Sequence, residues 1–150
     1  MVSLRKSIIN MSKNFKVLLN FIKDLSIETP DAETLLFVKD HITSYHLGID
    51  IDSKALKNKM VEVCTKLTFK DKENFEKKSI FELNYASVVK IDDKVKEKKE
   101  MEKIILCEVQ KDIYPKLEKI FLNLLNDAGL PGIKFEKKVD FEKLFNERLN

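Results

Sequence analysis

Cysteine, glycine and proline are scarce in this chain of 150 residues, which has two cysteines, three glycines, three prolines and no tryptophan. The glycines form no Gly-rich loop of the kind that cradles a phosphate. Cys64 and Cys107 are too few, and too far apart, for a disulfide framework or a four-ligand zinc site. We therefore expect a reducing compartment and no metal site.

Long apolar runs are also missing. No run approaches the roughly 20 residues of a transmembrane helix, and no apolar segment of a secretory signal follows Arg5 and Lys6. We expect no direct membrane insertion. Residues 1–12 are predicted to be a disordered N-terminal extension, and residues 13–150 a single globular domain, because the chain is too short for two.

Positively and negatively charged residues are nearly balanced in number. Lysine and arginine total 28 and aspartate and glutamate 25, a net charge of +3. A nucleic-acid-binding domain usually has a larger positive excess that is clustered on one face. The lysine-rich stretches, 94–103 and 134–138, are interleaved with acidic residues and have no aromatic platform. We expect no nucleic-acid partner.

Apolar and polar residues alternate in several windows of the chain, as they do in half-buried strands. The clear windows are 41–51, 60–69 and 79–91. The window 15–28 is ambiguous, because its first half also fits a helix and only its end alternates. We predict a fourth strand there, since three long antiparallel strands favour another neighbour.

After residue 91 the apolar period becomes that of a helix. Ile113, Leu117, Ile120 and Leu124 form one stripe, with Pro115 near the predicted start and Gly129 followed by Pro131 at the end. A short helix is predicted after Asp140, which is a good N-cap. The fold class is therefore predicted as α+β, a four-stranded antiparallel sheet with a long and a short C-terminal helix packed on one face.

No group of residues assembles an active site. His41 and His46 are predicted to point to opposite faces of one strand, and no ligand set accompanies them. Neither cysteine has the sequence context of a nucleophile. We predict no catalytic residue and no enzymatic activity.

One set of residues suggests a surface for a partner. Asp24, Ser26 and Glu28 share one face of the first strand, and Ile80, Glu82 and Asn84 share the outward face of the fourth. They are either the wet face of a half-buried sheet or a flat docking surface for a basic protein.

A second set of residues is apolar. The segment from Leu35 to Val38 joins two predicted strands and is too apolar for an ordinary loop. The last helix adds Phe141, Leu144 and Phe145. These residues either close the core or form an apolar groove that accepts extended chains.

Five short stretches together resemble the SecB protein-export chaperones. Residues 21–30, Phe-Ile-Lys-Asp-Leu-Ser-Ile-Glu-Thr-Pro, are similar to the family's opening strand, and residues 81–91 are similar to its fourth strand. Leu-Cys-Glu at 106–108 with Ile-Tyr-Pro at 113–115 resembles the start of its long helix. Gly-Leu-Pro at 129–131 resembles its turn, and residues 139–145 resemble its closing helix.

The resemblance implies a cytoplasmic chaperone without a cofactor, assembled as a homotetramer, a dimer of dimers. It would bind unfolded preproteins and deliver them to the SecA translocase ATPase. It also implies a SecA-docking role for the residues that we call the acidic surface: Asp24, Glu28, Ile80 and Glu82. The implied client groove comprises Leu35, Leu36, Phe37, Tyr45, Leu47, Phe141, Leu144 and Phe145.

An alternative within the same family is a solitary SecB-like chaperone that is dedicated to one client, such as an antitoxin. Loss of the docking carboxylates would favour this alternative, and Asp24, Glu28 and Glu82 are all present.

Overall fold

The structure of the chain is a computed structural model that describes residues 14–135 and 138–149. The predicted extension, 1–12, lies outside the described residues. Four strands and four α-helices follow one another in the described part of the chain. They are β1 (Phe15–Glu28), α1 (Ala32–Asp40), β2 (Tyr45–Ala55), β3 (Met60–Asp71), β4 (Ile80–Ile91), α2 (Lys98–Lys103), α3 (Val109–Asp127) and α4 (Phe141–Leu149).

The four strands form one antiparallel sheet in the order β1-β4-β3-β2. The strand prediction for the ambiguous window is confirmed, because residues 15–28 form β1 and pair with β4 along their whole length. The register shifts twice, between Val17 and Leu19 and between Ile22 and Asp24. β1 and β2 are the edge strands, and β3 and β4 lie in the middle.

The connection between β1 and β2 differs from the prediction, since most of it is a helix. Asp31 is the N-cap of α1, where its carboxylate accepts a hydrogen bond of 2.8 Å from the backbone N–H of Thr34. Hydrogen bonds from Thr34 lower the pKa of that carboxyl. His41 caps the other end of α1 instead of lying in a strand, and its Nδ1 lies 2.8 Å from the carbonyl oxygen of Phe37.

The long helix begins earlier than predicted. α2 continues through a π-helical turn, Ile104–Glu108, directly into α3, so Pro115 lies inside the helix instead of at its start. Pro115 is exposed, where water can satisfy the carbonyl that its missing N–H leaves unpaired. α2 begins at Lys98, so the last two residues of the charged stretch 92–99 are already helical.

The two helix-boundary residues predicted near the end of the sequence, Gly129 and Asp140, act as predicted. Gly129 has a φ of +101° after the end of α3, and the N–H of Leu130 donates to the carbonyl of Leu125 at 3.0 Å, which is a Schellman ending. A side chain at Gly129 would also meet Leu35, whose Cδ2 lies 2.7 Å from the Cβ position. Asp140 is the N-cap of α4, since its Oδ1 accepts from the N–H of Lys143 at 3.0 Å.

The core lies between one face of the sheet and the long helix. Alternate residues of β3 and β4 are fully buried there, and their partners come from α3. The side chains of this set with no exposed area are Val63, Leu67, Leu83, Val89, Leu117, Phe121 and Leu125.

One polar contact crosses this core. The amide Nε2 of Gln110 donates to the hydroxyl oxygen of Thr65 at 2.8 Å, and neither side chain is exposed. Gln110 Oε1 has no hydrogen-bond partner among the described residues. The bond therefore ties the start of α3 to the middle of β3.

We expect Thr65→Val to lower the free energy of unfolding by about 1–3 kcal/mol, because a buried amide then loses its acceptor without any loss of volume. Adding Gln110→Met should restore most of that stability, since the unpaired amide disappears. Thr68→Val, on the other face of β3, is the matched control. Urea unfolding at one fixed protein concentration measures all three variants against the wild type. Equal stability of Thr65→Val and the wild type would contradict the assigned contact.

Candidate functional site

The register of β1 and β4 brings the acidic surface together. Asp24 is opposite Asn84, Ser26 is opposite Glu82, and Glu28 is opposite Ile80. These pairs lie on the face of the sheet that the helices do not cover, because Phe81, Leu83 and Tyr85 point into the core. Two carboxylates from β1 and one from β4 therefore share one face of the sheet with the apolar side chain of Ile80.

Ile80 is the apolar centre of this surface and is 43% exposed. Together with Glu28 it lines a cavity of about 450 Å³, whose other walls are Ile27, Thr29, Pro30 and Lys78. An apolar side chain of a partner can pack there while a neighbouring basic group reaches a carboxylate.

Lysines lie beside the acidic surface, and the sequence prediction did not include these lysines. Lys66 on β3 lies 3.7 Å from Glu82. Lys23 reaches Glu62 at 3.1 Å, because the register shift leaves Lys23 without a partner on β4. The hydrogen bond to Glu62 raises the pKa of Lys23. Among the described residues, Asp24 and Glu28 have no ion-pair partner and remain available to a basic ligand.

A second site follows the edge strand β2. Three adjoining cavities lie between β2, residues 133–135 and 138–139, and the helices, with volumes of about 730, 210 and 350 Å³. Ile49 is shared by the first two cavities, and Ile51 by the last two. We call the three cavities together the edge groove.

Half of the predicted groove residues line this groove. Tyr45 and Leu47 line its largest cavity, Leu144 lines the middle one, and Phe145 lines both the middle cavity and the one of 350 Å³. Burial, followed by the carboxylate of Asp71, raises the pKa of Tyr45, so its hydroxyl group stays neutral.

The other predicted groove residues lie elsewhere. Phe141 is buried against the ring of Tyr114 at a centroid distance of 5.2 Å. Leu36 is 64% exposed on α1, and Leu35 packs beside Gly129. Phe37 stacks on His41 at 4.0 Å and meets the edge of Phe75. None of these four residues is among those that line the three cavities.

Several groove residues were missed by the sequence reasoning. The largest cavity takes apolar walls from the segment after α3, and the others take walls from the π-helical turn. The alternation of Ile133 and Phe135 was a sequence signal, but the cavity that they share with β2 joins residues that are distant in sequence. The missed apolar residues are Ile42, Ile49, Phe69, Ile133, Phe135, Val139, Ile51, Ile105 and Leu106.

The cysteines and histidines form no chemical site in the described part of the chain. Burial raises the pKa of both Cys64 and Cys107, which disfavours a reactive thiolate. No three His, Cys, Asp or Glu side chains among the described residues are placed to hold a metal ion. Within the same residues, no helix is both long enough and apolar enough to cross a membrane.

Comparisons with known proteins agree on one family. The family model "SecB: Preprotein translocase subunit SecB" matches residues 9–150. The "Putative protein-export protein SecB" of Pelagibacter ubique (strain HTCC1062) is 59% identical over 140 residues, covering 93% of this chain and 100% of that protein. The protein-export protein SecB of Parvibaculum lavamentivorans is 28% identical over 137 residues, covering 89% of this chain and 77% of that protein.

A solved structure shares the fold. It is the Mycobacterium tuberculosis Rv1957 SecB-like chaperone in complex with a ChAD peptide from the Rv1956 HigA1 antitoxin, and it matches with a TM-score of 0.63. The match covers 92% of this chain and 97% of that one at 11% sequence identity, which shows the fold alone.

The proteins of the matched family are export chaperones and not enzymes. The matched range includes all four strands, the long helix and all residues of both candidate surfaces. The chain therefore belongs to the SecB family of protein-export chaperones.

Proposed function

We propose that this protein is a cytoplasmic chaperone that keeps precursor proteins unfolded and delivers them to the SecA translocase ATPase. The observation that carries the proposal is the edge groove, an open apolar channel along β2 on a chain of the SecB family. A protein that binds the unfolded state and not the native one delays folding by mass action, without ATP. Many apolar contacts along a channel also tolerate different client sequences.

The acidic surface supports the SecA part of the proposal. Its carboxylates lie on the face of the sheet opposite the helices, so a basic segment of SecA can reach them while a client occupies the edge groove. Complementary charges mainly increase the rate and specificity of such an encounter. Asp24 and Glu28 supply the available negative charge, and Ile80 supplies the apolar contact.

The β1 edge supports assembly into a homotetramer. Five large apolar side chains of β1 are between 39% and 51% exposed: Leu18, Leu19, Phe21, Ile22 and Leu25. An edge strand with an exposed apolar surface favours pairing with another chain, and a closed dimer would bury the same strand of both copies. Two such dimers would give the tetramer and several grooves for one client.

The alternative of a chaperone dedicated to one client has one supporting observation. The structurally similar M. tuberculosis chaperone is in complex with a peptide from an antitoxin. The intact acidic surface favours delivery to SecA as the function of the present chain.

We expect Asp24→Arg and Glu82→Lys each to weaken binding to SecA by about tenfold, or about 1.4 kcal/mol, because a basic ligand then meets a positive charge. Client binding should not change, since the edge groove is separate. Glu73→Lys, in the exposed loop before β4, is the control with the same change in net charge. Titration by fluorescence anisotropy measures both affinities. Wild-type affinity for SecA in both variants would contradict the docking assignment.

We expect Leu144→Asp to reduce the affinity for an unfolded client several-fold, because a charge then lines the apolar groove. Leu144 is 42% exposed, so the variant should fold. Leu56→Asp is the matched control, because Leu56 is 37% exposed and lies in the turn after β2. The measurement is suppression of aggregation of a client diluted from denaturant. Equal suppression by the two folded variants would argue against client binding in the edge groove.

A further inference from the structure

The edge groove has the dimensions of one extended peptide segment. Its three cavities follow β2 from Tyr45 to Ser53, and neighbouring cavities share Ile49 or Ile51. At about 3.3 Å per residue, this stretch of strand is about 26 Å long. A client segment of about eight extended residues therefore spans the groove from end to end.

The charged residues that line the groove in the described part of the chain are sorted by sign. Lys134 and Lys138 line the cavity at the Tyr45 end, together with His46. Asp52 and Glu102 line the cavity at the Ser53 end, and Asp50 lines the one between them. The lining between the two ends is mainly apolar.

These charges are available to a ligand. Lys134, Lys138 and Asp52 are exposed, and Glu102 is half-buried. Within the described residues, none of the four takes part in an ion pair, although one carboxylate oxygen of Asp52 accepts a hydrogen bond from Ser53. The two ends are separated by about 20 Å or more along β2. This exceeds the Debye length of about 8 Å at physiological salt, so each end acts on the nearest client charge alone.

We propose that the edge groove orients its client by charge. The preferred segment has an acidic residue at the Lys134 and Lys138 end, an apolar centre, and a basic residue at the Asp52 and Glu102 end. This inference rests on the proposed client binding and adds a polarity to it. The occupant is one extended stretch of an unfolded polypeptide, because two opposite charges at the ends of an apolar channel match that chemistry.

The test uses labelled nine-residue peptides with one apolar centre and four types of end. One peptide is neutral, one has a single acidic end, one has a single basic end, and one has both. Two protein variants each reverse the charge of one end of the groove. The first combines Lys134→Glu with Lys138→Glu, and the second combines Asp52→Lys with Glu102→Lys. Lys16→Glu with Lys90→Glu, on the opposite side of the sheet, has the same change in net charge as the first pair.

We expect charge reversal at the lysine end to lower the affinity for the acidic-ended peptide about fivefold. The affinity for the basic-ended peptide should not change. Charge reversal at the acidic end should lower the affinity for the basic-ended peptide only. A nitroxide on the acidic end of the doubly charged peptide should broaden NMR signals near Ile133 in the wild type. In a further variant that combines all four substitutions, it should broaden signals near residue 52 instead.

The outcomes separate this inference from the proposed function. If the neutral peptide binds and the charged ends change no affinity, or if each reversal affects both charged peptides equally, the charge polarity is overturned. If the neutral peptide fails to bind any variant while the proteins are folded, client binding in the groove itself is overturned. If the control with Lys16 and Lys90 reversed lowers the peptide affinities as much as reversal of Lys134 and Lys138 does, the inference is also overturned. Net charge would then be the cause of the lower affinity.

Discussion

Burial of one face of β3 and β4 under the long helix is the contact on which the other features depend. Val63, Leu67, Leu83 and Val89 have no exposed area, and each such side chain contributes about 1.5–3 kcal/mol when fully buried. The helix covers the two central strands far more completely than the edges. Small domains bury a limited share of their surface, so apolar groups of β1 and β2 stay accessible.

The candidate surfaces follow from this incomplete coverage. β2 leaves the edge groove, and β1 leaves an exposed apolar strand. The uncovered face of the sheet leaves the acidic surface. A chaperone needs an accessible apolar surface that does not cause its own aggregation. Here the edge groove is recessed and has charged residues at both ends, which limits contact between flat apolar surfaces.

Much of the fold could be predicted because the local signals are strong. Alternation identified the strands, including β1, and Gly129 and Asp140 marked helix ends by their backbone and capping chemistry. α1 was missed although Asp31 is a good N-cap, because its apolar residues were interpreted as a connection. Pro115 was placed at a helix start, since sequence alone does not show that its position faces solvent.

The sites were only partly predictable for a different reason. The pairing of Glu28 with Ile80 depends on two register shifts in β1, and the cavity that Ile133 and Phe135 share with β2 joins residues that are distant in sequence. Leu35 and Phe37 have apolar character like that of the groove residues, yet they pack against Gly129 and His41. Composition identifies apolar residues, whereas only the tertiary fold decides which cavity they line.

Light scattering with and without an unfolded client is the most direct test of the central claim, which is that the chain is an assembled chaperone for unfolded polypeptides. The account predicts a particle of four subunits that forms a stable complex with an unfolded client and none with the same client in its native state. A monomer whose mass does not change with unfolded polypeptide would contradict it.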